Sequence, residues 1–121
     1  MDEPQLEPAP LGEGVSDRRV TVVTSLTVDP FSQDALVALI LRGSEETVRS
    51  MPGFVSSTVL RSLDGHRVMI ATDWASAEAF EAAARSLAMV PLFQDIGTLA
   101  KSDIHLYELV GGFLADESRG P

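Results

Sequence analysis

The chain has 121 residues, with 18 acids against 9 bases, two histidines and no cysteine, for a formal charge of −9. That length fits one domain with modest tails, and the missing thiols exclude disulfides, cysteine metal sites and a cysteine nucleophile. An acidic chain without a basic face is not expected to bind nucleic acid, and no apolar run approaches the roughly 20 residues that cross a bilayer.

Residues 1–17 carry Pro4, Pro8, Pro10, Gly12 and Gly14 among five acids. Such a segment cannot bury enough apolar surface to offset its ordering entropy, so it is expected to be a disordered leader. It is also unlike a signal peptide, and a cytoplasmic location is expected. Without those five acids, the other 13 face 9 bases, a net −4. The folded part is therefore only mildly acidic.

Residues 20–28, rich in Val and Thr, read as a strand. Asp29-Pro30 follows as an N-cap with proline in the first turn, where a missing N–H costs nothing. The helix it opens is expected to run to about residue 50, with Leu36, Leu39, Ile40, Val48 and Met51 near one face. Met51-Pro52-Gly53 ends it. Residues 54–62 and 66–74 form a hairpin around Leu63-Asp64-Gly65-His66, because Asp-Gly supplies the positive φ that such turns need. Ser76 caps a helix over 77–86. A second short helix covers 90–99, with Pro91 in its first turn, and a last strand covers 103–110. The domain is thus expected over 18–110, with residues 111–121 as a tail on which Phe113 and Leu114 are the groups able to dock.

The order strand, helix, strand, strand, helix, strand is a ferredoxin-like βαββαβ arrangement, an α+β fold with a four-stranded antiparallel sheet. Two helices cover one face of such a sheet. The other face, half apolar in this chain, then meets a partner, and a homodimer through sheet faces is the simplest closed solution. The competing reading is a monomer with a semi-polar open face.

Met51-Pro-Gly-Phe54, Leu60-Arg-Ser-Leu-Asp-Gly65 and Asp73-Trp-Ala-Ser-Ala-Glu-Ala-Phe80 stand in an order and spacing that resembles the antibiotic biosynthesis monooxygenase family, over about residues 18–110. The resemblance implies a dimeric α+β barrel. It also implies oxidation of aromatic polyketide-type substrates by O₂, with no metal, flavin or haem. Cyclases and isomerases share that fold. A deprotonated phenol or anthrone can pass an electron to O₂ directly, and the protein supplies a dry pocket, a proton acceptor and an oxyanion donor. The family's tryptophan falls on Trp74. Positions where well-studied members carry asparagine, tyrosine and histidine hold Ile70, Phe80 and Leu60.

The expected partner is therefore a hydrophobic aromatic small molecule. Trp74 and Phe80 would bracket it by stacking, or Trp74 would plug a core instead. Phe54, Leu60, Ile70 and Met89 are the apolar wall candidates. Ser56, Thr58, Thr24 and Thr72 would hydrogen-bond its oxygens, or serve as ordinary strand residues. Thr58 and Thr72 are carried as catalytic candidates with His105, whose imidazole titrates nearest neutrality. The competing reading of His105 is a hydrogen-bonded histidine on the dimer face. Arg61, Arg67 and Asp73 are expected on the face opposite Trp74, as interfacial ion pairs.

Overall fold

A computed structural model describes residues 18–116. The leader expected over 1–17 and the last five residues of the tail lie outside the described residues. Strand β1 is Val20–Val28, and a 3₁₀ turn at Pro30–Ser32 leads into helix α1, Gln33–Glu46. Asp29 caps the turn by accepting the Phe31 N–H. A second 3₁₀ turn, Val48–Ser50, precedes strands β2, Phe54–Arg61, and β3, Arg67–Trp74. Helix α2, Ala77–Ala84, is capped by the Ser76 hydroxyl, which accepts the Ala79 N–H. Helix α3, Val90–Leu99, runs without a loop into β4, Ala100–Tyr107.

Several boundaries differ from expectation: α1 begins at Gln33 after a 3₁₀ turn, α2 ends at Ala84 and the last strand at Tyr107, and three further shifts have a local cause. Helix α1 stops four residues early. Glu45 and Glu46 put negative charge at the negative end of the helix dipole, and no basic residue occupies its last turn. Thr47 leaves the helical region and a tight turn carries the chain on. The hairpin loop spans residues 62–66, and only Gly65 takes positive φ, at 87°. Asp64 organises that loop by accepting the His66 N–H and the Ser62 hydroxyl; both bonds hold its carboxyl below its ordinary pKa. The last strand starts three residues early, because Ala100 already pairs with Val28 at the end of β1.

The sheet is antiparallel with order β2-β3-β1-β4, so the two outer strands in space are β2 and β4. All helices lie on one face. Val22 and Leu26 of β1, Val68 and Trp74 of β3, and Leu36 and Ile40 of α1 are buried there. Burying a side chain of this size contributes about 1.5–3 kcal/mol relative to exposure. Their buried contacts form two clusters and not one. Leu26, Val28, Leu36, Ile40 and Val68 pack at one end of the sheet; Val22, Val48, Trp74, Ala83 and Met89 pack at the other. Gln33 locks α1 to the neck of the hairpin: its Nε2 donates to the carbonyls of Ser62 and Arg67 at 3.0 and 2.9 Å.

A β-bulge in β2 decides which residues face the helices. Phe54 pairs with Trp74, but the register then slips, so that Ser56 pairs with Asp73 and Ser57 with Thr72. One inserted residue flips every later side chain to the other face. Arg61 therefore stands on the helix side, opposite Val68, and pairs with Asp34 of α1. This corrects the expected grouping of Arg61 with Arg67 and Asp73. The latter two do face away from the helices. Phe113 and Leu114 do not dock: both are fully exposed in the segment after β4.

Candidate functional site

Between the two clusters lies a cavity of about 280 Å³, bounded by the sheet, α1, α2 and α3. Its size is near the lower end of small-molecule pockets, ~300 Å³. Its origin can be read along the inward row of each element. In β1 that row is Val20, Val22, Thr24, Leu26, Val28, and in β3 it is Val68, Ile70, Thr72, Trp74. In β4 it is Ala100, Ser102, Ile104, Leu106. In α1, Leu36, Ile40, Ser44 and Val48 follow at intervals of four, the last just beyond the helix. Each row is apolar except for one hydroxyl, and Thr24, Ser44, Thr72 and Ser102 all line the cavity. A larger apolar side chain at those positions would fill the space and join the two clusters.

The hydroxyls are not equivalent. Thr72 Oγ1 accepts the indole N–H of Trp74 at 2.9 Å. That bond satisfies the polar atom of a ring that is only 3% exposed. Thr72 keeps its own O–H proton for a further acceptor. The hydroxyls of Thr24, Ser44 and Ser102 make no hydrogen bond to other described residues. Three hydroxyls thus face the cavity without partners among the described residues, and a fourth is held by the indole.

Aromatic rings form the wall. Trp74 meets Phe54 edge-on at 5.5 Å between centroids, and Phe80 at 5.9 Å. Phe80, Met89, Leu92 and Phe93 continue the lining from the helices. Trp74 is therefore both core and wall: one part of the ring packs in a buried cluster, another borders the cavity. The apolar side chains beside β4 remain open to solvent. Phe93 is 44% and Ile104 48% exposed, which marks this side as the mouth.

Six of the residues singled out in the sequence meet here: Thr24, Ile70, Thr72, Trp74, Phe80 and Met89. Phe54 supports the wall from behind Trp74 without lining the cavity. Ser56, Thr58, Leu60 and His105 stand on the other face of the sheet, opposite Asp73, Ala71, Met69 and Val23. For the first three the bulge is the reason. The Ser56 hydroxyl donates to Asp73 instead, and His105 Nε2 lies 3.1 Å from Asp103. The sequence reading missed Ser44, Ser102, Phe93 and Ile104. A hydroxyl breaking an apolar row at i, i+4 spacing was the available signal for Ser44. Ser102 was hidden by the misplaced start of β4. Among the described residues no three His, Cys, Asp or Glu side chains come together as a metal site.

The sequence profile of the antibiotic biosynthesis monooxygenase family matches residues 19–96. A search of the curated proteins finds no match. Among solved structures, a monooxygenase from the gene ActVA-Orf6 of Streptomyces coelicolor, in complex with nanaomycin D, superposes with a TM-score of 0.74 at 25% identity, covering 83% of this chain and 95% of that one. SnoaB, a cofactor-independent oxygenase from Streptomyces nogalater, gives 0.66 at 25% identity over 82% and 99%. A conserved protein from Methanosarcina mazei Go1, at 19% identity over 77% and 94% with a TM-score of 0.67, shares the fold.

Proposed function

Because the chain belongs to the antibiotic biosynthesis monooxygenase family, we propose that it is a small-molecule enzyme of secondary metabolism that oxygenates an aromatic, polyketide-type substrate without a cofactor. The observation that carries this reading is the cavity between the two cores, walled by Trp74, Phe80 and Phe93 and furnished with hydroxyls. A flat ring system stacks against such walls, and its oxygens meet the hydroxyls of Thr72, Thr24, Ser44 and Ser102. In the reaction proposed, the substrate supplies the electrons. The substrate gives up a proton to solvent water at the cavity mouth and the anion passes its electrons to O₂. One oxygen atom enters the ring carbon and the other leaves as water, while the Thr72 O–H is a donor for the oxygen on which charge develops. SnoaB is a cofactor-independent oxygenase, which supports the reaction type, and the ActVA-Orf6 monooxygenase binds nanaomycin D, which supports a small-molecule ligand.

One observation favours a second reading. Every described side chain lining the cavity is non-titratable, so none of them can take a proton at neutral pH. A polyketide cyclase or isomerase of this fold, or a ligand-binding protein of a biosynthetic cluster, would rest more on shape and hydroxyl placement. The test is to follow O₂ uptake and quinone absorbance with an anthrone and the metal-free protein. Acceleration over buffer that Thr72→Val reduces supports the oxygenase. An unchanged rate of O₂ uptake with retained anthrone binding would shift the assignment to the second reading.

The assembly proposed is a homodimer through the uncovered sheet face. That face carries Val23, Leu60, Met69, Ala71 and Tyr107, with Leu60 54% and Tyr107 51% exposed. It also carries both signs of charge, Arg67 and Lys101 with Asp73 and Asp103, which suits pairing with a second copy of itself.

A further inference from the structure

We infer that the cavity takes its ligand in the uncharged form: a flat, mainly apolar molecule with several oxygens, bound before any of its acidic groups ionises. This rests on the proposed small-molecule site and adds the charge state that the site selects. The lining consists of hydrocarbon, aromatic rings and four hydroxyls. Hydroxyls can hydrogen-bond a carbonyl, a phenol or a phenolate, but they bring no opposite charge.

The charged groups of the surrounding elements all point elsewhere. On α1, Asp34 pairs with Arg61, and Glu45 pairs with Arg49 of the following turn. Arg42 and Glu46 are exposed on the outer side of α1. Glu78, Glu81 and Arg85 on and after α2, and Asp95 on α3, are exposed and line no part of the cavity. On β3 and β4, Arg67, Asp73, Lys101, Asp103, His105 and Tyr107 face away from the helices. Strand β1 has no titratable residue.

An anion entering this space gives up water and gains no counter-charge, which raises the pKa of the bound acid. The net charge of −9 adds a long-range term of the same sign. Only the protonated fraction then binds, so the apparent Kd scales with the inverse of that fraction.

The test uses two probes, 5-hydroxy-1,4-naphthoquinone and its 5-methoxy ether, titrated against the wild-type full chain by quenching of Trp74 fluorescence across the pKa of the hydroxy compound. The ether cannot ionise and reports any effect of pH on the protein itself. The expected result is a constant affinity for the ether. For the hydroxy probe, affinity should be flat below its pKa and fall about tenfold per pH unit above it. Equal or tighter binding of the ionised probe, with the ether unchanged, would overturn the inference and leave the site intact. Failure of both probes to bind at any pH would instead remove the proposed aromatic-ligand site, and this inference with it.

Discussion

Thr72 is the residue where stability and recognition share an atom. Its Oγ1 satisfies the buried Trp74 N–H, and its proton remains for the cavity. Thr72→Val keeps the shape but leaves the indole N–H without an acceptor, a cost of about 1–3 kcal/mol. Thr72→Ser retains the acceptor and should lose far less. Urea denaturation of the two variants separates them, and a Val variant as stable as the Ser variant would show that the indole bond contributes nothing. The same pair should separate in binding: Val weakens a quinone probe, Ser restores it. Trp74 itself was legible in the sequence as a lone indole at the end of a strand. That it is both wall and core was not, because one ring can border a buried cluster and a cavity at once only when three helices have closed over it.

At the scale of elements, α1 and α3 approach each other at Gly43. A Cβ there would lie 2.6 Å from Leu92 Cδ1, and Leu92 is part of the cavity wall. Gly43→Ala gains up to about 1 kcal/mol of helix propensity, while the displaced Leu92 side chain costs a similar amount, of order 0.5–1.5 kcal/mol. The expected outcome is a urea midpoint close to wild type and a several-fold weaker affinity for the naphthoquinone ether. Unchanged affinity would mean that Leu92 yields away from the cavity. Most element boundaries followed from local signals: Asp29-Pro30, Ser76 and Met51-Pro52-Gly53 act within a few residues of themselves. The bulge after Phe54 did not announce itself in this way. Phe54-Val55-Ser56-Ser57 reads as an unbroken strand, and the extra residue becomes visible only when β3 is laid beside it. The faces of Ser56, Thr58, Leu60 and Arg61 were misjudged for that one reason.

For the whole molecule, the decisive feature is a sheet with one covered and one uncovered face. The uncovered face places Leu60 beside Met69, with Ala71 on the same strand as Met69 and Tyr107 on the far edge strand, among charges of both signs. A dimer of the 13.0 kDa chain is the expected species in sedimentation at micromolar concentration. Leu60→Glu should shift it toward monomer with little loss of monomer stability, since this side chain is already half exposed and surface changes usually stay within about 0.5 kcal/mol. A wild-type chain that sediments as a monomer would refute the assembly. Residues 109–114 add a second exposed apolar run, with Leu109, Val110, Phe113 and Leu114 all nearly or fully exposed.

The order of strands and helices, the caps, the hairpin and the family were determined by the sequence alone, because each rests on residues close together in the chain or on a spacing that one strand or helix imposes. The cavity was decided by tertiary structure. Thr24, Ser44, Thr72 and Ser102 are each an unremarkable hydroxyl in an apolar row, on four elements spread over nearly eighty residues. Only the sheet register and the seat of α1 bring the four interruptions into one space, and only the absence of bulk at all four keeps the two cores apart.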